Sequence, residues 1–246
     1  MATPMESKLD ALIANLRGAL HGDLVSVVLY GSAARDEHAG AASNLNLLVV
    51  VKDDGPERLL AAAGAQKRWV KEGNPPLLFV TPRWIHDSTD VFPMEFLDML
   101  DHRKILAGAD PLAGVAVSRA NLRLQCEREA RSILLKLRAA WIEASGDSRA
   151  LRELVVQSLG PVMAVARGAL RLVGEPVPSR TADVLQALAR RFDVEAAPLS
   201  AAVAVKGAGP KQDSERLRVV FLRYFEAVER LGRALDALRT EPGPGS

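Results

Sequence analysis

Two short polar segments lie beside apolar runs in the first third of the chain, and their residue types suit phosphate and metal chemistry. Gly31 and Ser32 directly follow the apolar run 25–30. A glycine lets the backbone approach a ligand closely, and the amides after it can donate to phosphate oxygens. Asn44 and Asn46 alternate by two, which places both side chains on one face of a strand. Taken alone, Gly31 and Ser32 are more commonly an ordinary strand-to-helix turn with a serine cap, and Asn44 and Asn46 could be turn and strand-entry residues that bind no ligand.

The elements that must position these residues alternate between helix and strand over residues 1–110. Apolar residues at helical spacing predict the first helix, and prolines begin the later ones. Short apolar runs bounded by Gly, Pro, Asn and Asp predict buried strands. The predicted strands are 25–30, 45–51, 77–80 and 91–99, with helical segments at 5–20, 56–71 and 82–84. A small mixed sheet with helices is therefore expected.

Everything after about residue 112 follows helical periodicity. Apolar residues recur every three or four positions, as in the amphipathic helices of an up-and-down bundle. Ser179 and Thr181 offer N-caps, and segment 206–211 is predicted to be a loop. The predicted helices are 122–141, 151–173 with a kink at Gly160 and Pro161, 182–192 and 219–238. The chain is thus expected to be α+β: a mixed-sheet domain over 1–110, an all-helical bundle over 111–240 and a disordered tail over 241–246.

The composition is that of a folded globular protein, with 48% hydrophobic and 25% charged residues. Aromatic residues make up only 4%, too few for a platform that stacks single-stranded nucleic acid. Residues 1–110 hold 11 lysines and arginines against 15 acidic residues, whereas residues 111–246 hold 21 against 15. Helical proteins often scatter arginine over solvated faces, so this mild excess does not make nucleic acid an expected partner.

Cysteine use and the N-terminus point to the compartment. The single cysteine, Cys126, cannot form an intramolecular disulfide and is expected to be a small buried side chain. Charged residues interrupt the first 20 residues, and no apolar run reaches 18, so neither a signal peptide nor a membrane span is predicted. A cytoplasmic protein is the default expectation.

The first segment and the strand after it resemble the nucleotidyltransferase fold of the DNA polymerase β superfamily. The likeness is to the bacterial kanamycin, aminoglycoside and minimal nucleotidyltransferases, whose pattern runs Gly-Ser-x-Ala-Arg-Gly and then Ser-Asp-x-Asp-Leu. It covers residues 22–108 by motif. The matching residues are Gly31, Ser32, Ala34, Arg35, Ser43 and Leu47. The resemblance implies that Gly31, Ser32, Arg35 and Ser43 bind a nucleotide, although Arg35 would equally suit a salt bridge to nearby carboxylates.

The departures from the family pattern fall on its metal ligands. Asn44 and Asn46 stand where the family has two magnesium-binding aspartates. The third family carboxylate lies on a later strand, where Glu95 aligns best and Asp98 is the second choice. Magnesium gives up its waters reluctantly, so two neutral amides should bind it far more weakly than two carboxylates. Glu95 would also suit a solvent-facing strand position, and the loop carboxylates at 36, 37, 53 and 54 are the only other substitutes.

Three functional hypotheses follow from this resemblance. In the first, a pseudoenzyme with a degraded metal site binds a nucleotide or a protein partner. In the second, an active nucleotidyltransferase moves an NMP from an NTP to a hydroxyl of a small molecule or protein, with Mg²⁺ held by Glu95 and a second carboxylate. In the third, the chain is a scaffold that dimerises through its helices. The expected ligand is an NTP, and the expected partners are a protein or a second copy rather than nucleic acid or a membrane.

Overall fold

The chain divides into two units, and the computed structural model describes residues 3–34, 45–209 and 213–238 of it. The first unit ends at Val117 and the second begins at Ser118. The predicted join at 108–114 lies just before this division, and the predicted tail at 241–246 lies outside the described residues. The first unit contains a sheet with helices and the second is all-helical, which confirms the α+β class.

The strands of the first unit form one mixed sheet in the order β3-β2-β1-β4. β1 pairs antiparallel with both β2 and β4, whereas β2 pairs parallel with β3. The strands are β1 (Leu24–Tyr30), β2 (Asn46–Val51), β3 (Leu78–Val80) and β4 (Arg103–Gly108). The end of β1 and the beginnings of β2 and β4 meet at one edge, because Tyr30 is opposite both Asn46 and Arg103. The sequence predicted the first three strands correctly.

Most helices described in the first unit begin at a proline, and the exception, at Ala63, continues from a 3-10 turn. Thr3 caps the first helix, and its side chain and that of Glu6 bond reciprocally to each other's backbone amides. The helices are α1 (Pro4–Leu20), α2 (Pro56–Leu59), α3 (Ala63–Lys71), α4 (Pro82–Asp87) and α5 (Pro93–Asp101). A single 3-10 turn at Leu60–Ala62 joins α2 to α3. The predicted helical segments 5–20, 56–71 and 82–84 are therefore confirmed.

The strands bury alternate residues on opposite faces of the sheet, as their period of two requires. We call the side covered by α1 and α3 the closed face; its core holds Leu16, Val27, Leu29, Leu47, Val49 and Trp69. We call the other side the open face; its core holds Val28, Leu48, Val50, Ile85, Phe96, Met99 and Leu112. Of the described residues, those of the short helices α4 and α5 and of the segment 112–117 pack on the open face.

The predicted strand at 91–99 is wrong. Pro93 begins helix α5, because its fixed φ suits the first helical turn and its missing N–H is not needed there. Met94 and Phe96 are both buried, and this alternation imitates a strand. The fourth strand is instead β4, which follows directly from His102. Glu95 and Asp98 therefore lie on a helix and not on a strand.

The described helices of the second unit pack around α7, which contacts each of the other four. They are α6 (Arg119–Ala144), α7 (Ser148–Leu172), α8 (Thr181–Arg191), α9 (Ala196–Gly207) and α10 (Ser214–Ala237). The helix α7 continues through Pro161, and Cys126 is buried as expected. Among the described residues, no helix has the length and apolar character needed to cross a membrane.

Two local predictions in the second unit need correction, although residues 208 and 209 are non-helical as predicted. The predicted loop 206–211 begins inside α9, a helix that the sequence pattern missed because its alanine-rich run lacks a strong polar face. Alanine has the highest helix propensity, and Leu199, Ala202 and Val205 are buried along this helix. Thr181 is the first residue of α8 rather than its cap, and no side chain caps that helix.

Candidate functional site

A close contact between Gly31 and Asn46 forms the edge of the site. Gly31 has φ +81°, and a β-carbon added there would lie 3.1 Å from Nδ2 of Asn46. The position therefore favours glycine for both backbone conformation and space. The Ala34 amide donates to the Gly31 carbonyl at 3.1 Å and closes a one-turn 3-10 helix over Ser32–Ala34. This turn is too short to supply a large helix dipole.

A cavity of about 540 Å³ opens beside this edge on the open face of the sheet. The strands contribute one wall and helices α4 and α5 the other. The lining residues are Tyr30, Gly31, Asn46, Leu48, Leu78, Trp84, Ile85, Phe92, Glu95, Phe96, Asp98 and Met99. The volume falls within the range of small-molecule sites, and the largely apolar lining with a few polar groups is typical of them.

Four of the lining side chains are polar, and they carry the chemistry of the cavity. Asn46 offers a neutral amide, while Glu95 and Asp98 bring carboxylates from one side of α5. Burial raises the pKa of the Tyr30 phenol above its ordinary value. Tyr30 therefore stays neutral at physiological pH and can donate a hydrogen bond. None of the described lining residues carries a positive charge.

The strands beside β1 and β2 supply no carboxylate to this edge. On β3, Leu78 is in register with Leu48 and lines the cavity. On β4, Arg103 is opposite Tyr30, and its guanidinium binds Asp110 with Nη2 2.7 Å from Oδ2. These bonds from Arg103 hold the pKa of the Asp110 carboxyl below its usual range. None of the four described strands contains an acidic residue.

These side chains do not fit the magnesium pair that the resemblance implies. Within the described ranges, no group of three or more His, Cys, Asp or Glu side chains is placed to hold a metal ion. Asn46 is neutral. The family's third carboxylate is expected on a later strand, but on β3, which is parallel to β2, the residue in register with Leu48 is Leu78. The cavity therefore combines an amide, two helix-borne carboxylates and an apolar wall.

The structure brings together some of the predicted site residues. Gly31, Asn46 and Glu95 line one cavity, and Asp98 joins them. Ser32 begins the 3-10 turn beside Gly31. The predictions for Arg35, Ser43 and Asn44 lie outside the described residues.

The loop carboxylates after β2 lie away from this cavity. Asp53 follows the far end of β2, and seven residues of extended chain from Asn46 span roughly 20 Å. Its Oδ1 accepts from the Gly55 amide at 2.9 Å, which is an ordinary turn contact. Asp53 and Asp54 are therefore not placed to replace the missing ligands, and residues 36 and 37 lie outside the described residues.

Sequence reasoning missed the aromatic part of the site. Trp84 stacks on Phe92 with ring centroids 5.7 Å apart, and Phe96 lies 6.3 Å from the same ring. These rings come from α4, from the residue before α5 and from α5 itself. The prolines at 82 and 93 are the signal that could have found them, because each begins a short helix that carries aromatic residues.

Comparison with known proteins supports the fold. No protein-family model matches the sequence, and no curated protein matches it. Among solved structures, the chain is similar to spectinomycin adenyltransferase AAD(9) from Enterococcus faecialis, determined with ATP and spectinomycin. The two are 11% identical, the alignment covers 94% of this chain and 99% of the other, and the TM-score is 0.58. At this identity the likeness shows the fold alone, and it confirms the nucleotidyltransferase fold that the sequence motif predicted.

Proposed function

We propose that this protein is a nucleotide-binding pseudoenzyme of the nucleotidyltransferase fold, which binds a nucleotide without transferring its nucleotidyl group. One observation carries the proposal: Asn46 occupies the cavity end of β2, at a metal-ligand position of the family motif, and none of the described strands supplies a carboxylate. Asn44 likewise stands in place of an aspartate at the first position of the pair.

The physical reason is the charge that nucleotidyl transfer must neutralise. The triphosphate is strongly negative, and in related reactions metal ions offset the charge that develops on its oxygens. An amide oxygen is neutral, so Asn46 holds magnesium far less strongly than a carboxylate would. Glu95 and Asp98 add negative charge to the same cavity.

Two observations support a retained nucleotide as the ligand. Gly31 keeps the positive φ and the close approach that a phosphate-facing turn requires, with the short 3-10 turn directly after it. The similar adenyltransferase was determined with ATP. We place the phosphates at the turn of Gly31 and Ser32, so that backbone amides rather than a metal ion would bind them.

Thermal unfolding with each of the four NTPs, with and without Mg²⁺ or Mn²⁺, tests the proposal. A ligand that binds only the folded state at 100 times its Kd adds about 2.7 kcal/mol, which is easily measured. We expect at least one NTP to raise the Tm by the same amount with and without metal. A shift that requires metal would contradict the pseudoenzyme, and no shift with any NTP would contradict nucleotide binding.

Pyrophosphate release from each NTP, with spectinomycin as a trial acceptor, tests catalysis separately. We expect no release above that of protein-free controls. Release that Glu95→Ala abolishes and Glu57→Ala preserves would establish an active enzyme, because Glu57 is exposed and does not line the cavity. The double variant Asn44→Asp with Asn46→Asp should add metal dependence to nucleotide binding. If it does not, the fold has lost more than these two ligands, in line with the apolar Leu78.

A further inference from the structure

Three of the four most exposed large apolar side chains that the structure describes lie along one stripe of α6. Leu124, Leu135 and Ile142 are 64%, 65% and 73% exposed. They are 11 and 7 residues apart, which is close to three turns and two turns of a helix, so they share one face. Single exposed apolar residues are ordinary on a protein surface, whereas a repeated stripe of them marks an interaction surface.

The C-terminal half of this stripe is the more continuous half. Ala139 lies between Leu135 and Ile142 on the same face of α6, and it is also exposed. We call these three residues the α6 patch. By contrast, two arginines, at 128 and 131, separate Leu124 from it. A small residue between two large ones lets the side chains of a second helix interdigitate with the patch.

The helix that carries the patch is held to the bundle by aromatic and charged contacts with α10. Trp141 stacks on Phe221 with ring centroids 4.7 Å apart. The guanidinium of Arg138 lies 5.4 Å from the centroid of the Phe225 ring, and its Nη2 is 3.2 Å from Oε1 of Glu229. On the flank of the patch that faces α10, the exposed cation is therefore already paired within the chain.

The charges on the other flank of the patch are opposite in sign and unpaired. Lys136 and Glu143 are exposed and seven residues apart on α6, so both lie on the same flank. Neither has an ion-pair partner among the described residues. In an antiparallel helix pair, the same flank of each helix meets, and the two chains run in opposite directions. Lys136 then lies opposite Glu143 of a second copy, and Glu143 lies opposite Lys136 of that copy.

The register that pairs these charges also pairs the apolar residues. An antiparallel pair centred on Ala139 sets Leu135 opposite Ile142 of the second copy, and the two-fold axis repeats this contact. A register that brought Leu124 opposite Ile142 would be centred near residue 133. It would set Arg128 against Arg138 of the second copy, and this repulsion disfavours it.

We propose that the α6 patch is the contact of a weak two-fold symmetric dimer, in which the C-terminal halves of two α6 helices cross antiparallel at Ala139. Stable interfaces bury at least about 1,200 Å² in total, and the contact of two half-helices is smaller, so the dimer forms only at high protein concentration. This inference concerns a surface of the helical unit and does not depend on nucleotide binding.

Sedimentation equilibrium of the full chain, over a roughly hundredfold range of concentration that reaches about 1 mM, tests the proposal. We expect the average mass to rise from that of one chain toward that of two. Ala139→Glu should keep the protein monomeric, because it brings two like charges together at the two-fold axis.

Leu124→Glu is the matched control. Leu124 is as exposed as Leu135 and lies on the same stripe but outside the contact, so this variant should dimerise like the wild type. A wild type that stays monomeric at every concentration would overturn the proposal. So would a dimer that persists in Ala139→Glu, or one that Leu124→Glu disrupts equally.

Charge exchange tests the antiparallel register. Lys136→Glu should weaken the dimer about tenfold, because two attractive pairs become two repulsive ones. Adding Glu143→Lys restores both pairs with their signs exchanged, and the Kd should return to within about twofold of the wild type. A double variant that stays as weak as Lys136→Glu would contradict the antiparallel contact. Each substituted residue is exposed, so the Tm should be unchanged, which separates loss of contact from loss of fold. NTP-induced changes in Tm should be the same in monomeric Ala139→Glu, so they decide the nucleotide proposal independently.

Discussion

The two faces of the sheet are built from the same alternating strands but are covered by different helices. On the closed face, α1 with 17 residues and α3 with 9 bury the strand residues completely, and Leu16, Val27 and Val49 are fully inaccessible. On the open face, α4 has only 6 residues and α5 only 9, and a cavity remains at the strand ends. The length and position of the covering helices, rather than the strands, thus separate a structural core from a candidate binding site.

Leu47 and Leu48 give the most direct test of this difference. Both are 1% exposed, but they point to the closed and the open face respectively. We expect Leu47→Ala to cost about 3 to 4 kcal/mol and Leu48→Ala about 2 kcal/mol, because Leu48 already borders a cavity and its truncation enlarges that space rather than opening a new void. Denaturant unfolding followed by circular dichroism measures both. An equal or larger loss at Leu48 would show that the open face is packed as tightly as the closed one.

The ion pair between Arg103 and Asp110 stabilises the edge of the open face. Asp110 also accepts the Leu112 amide at 3.0 Å, which holds a core residue of that face. We expect Asp110→Asn to cost about 1 to 2 kcal/mol at neutral pH, since charged hydrogen bonds are lost at a partly buried site.

The pH dependence of this loss follows from the lowered pKa of Asp110. Its ionised form stabilises the fold, so the difference from the wild type should be full above the ordinary carboxyl value of 3.8 and shrink as pH falls through the lowered pKa. Thermal unfolding between pH 2 and 7 measures the difference. A difference that stays constant over this range would exclude the ion pair as its source, and Asp90→Asn serves as an exposed control.

Gly31 and Gly64 allow a smaller test at the two faces. Gly31 borders the cavity with φ +81°, and an added β-carbon would meet Asn46 at 3.1 Å. Gly64 lies in α3, where an added β-carbon meets nothing within 4 Å. We expect Gly31→Ala to cost about 1 to 2 kcal/mol and Gly64→Ala to stabilise by about 0.5 kcal/mol. Equal Tm values for the two variants would show that the Gly31 turn relaxes without strain.

Most of the fold was accessible from sequence because its signals are local. The apolar runs of β1 and β2, the prolines that begin α2 and α4, and the spacing of α1 each depend on neighbouring residues. The prediction for segment 91–101 was wrong because its apolar residues satisfy a period of two as well as a helical period. Pro93 favours a helix over a strand here, but the choice is clear only when the packing of Phe96 and Met99 against the sheet is known. The sequence pattern missed the alanine-rich α9 for a related reason. Burial of its residues, rather than a clear period of apolar residues, distinguishes this helix.

The sequence by itself determined the resemblance to nucleotidyltransferases at Gly31 and Ser32, the neutral residues at positions 44 and 46, and the separation of a sheet region from a helical region. Only the tertiary structure decided that Leu78 lies beside Leu48 and that Glu95 and Asp98 share a cavity with Trp84. The motif depends on residues that are adjacent in the chain. The cavity depends on strand register and on helices packed across the sheet, and these long-range contacts leave no fixed spacing in the sequence.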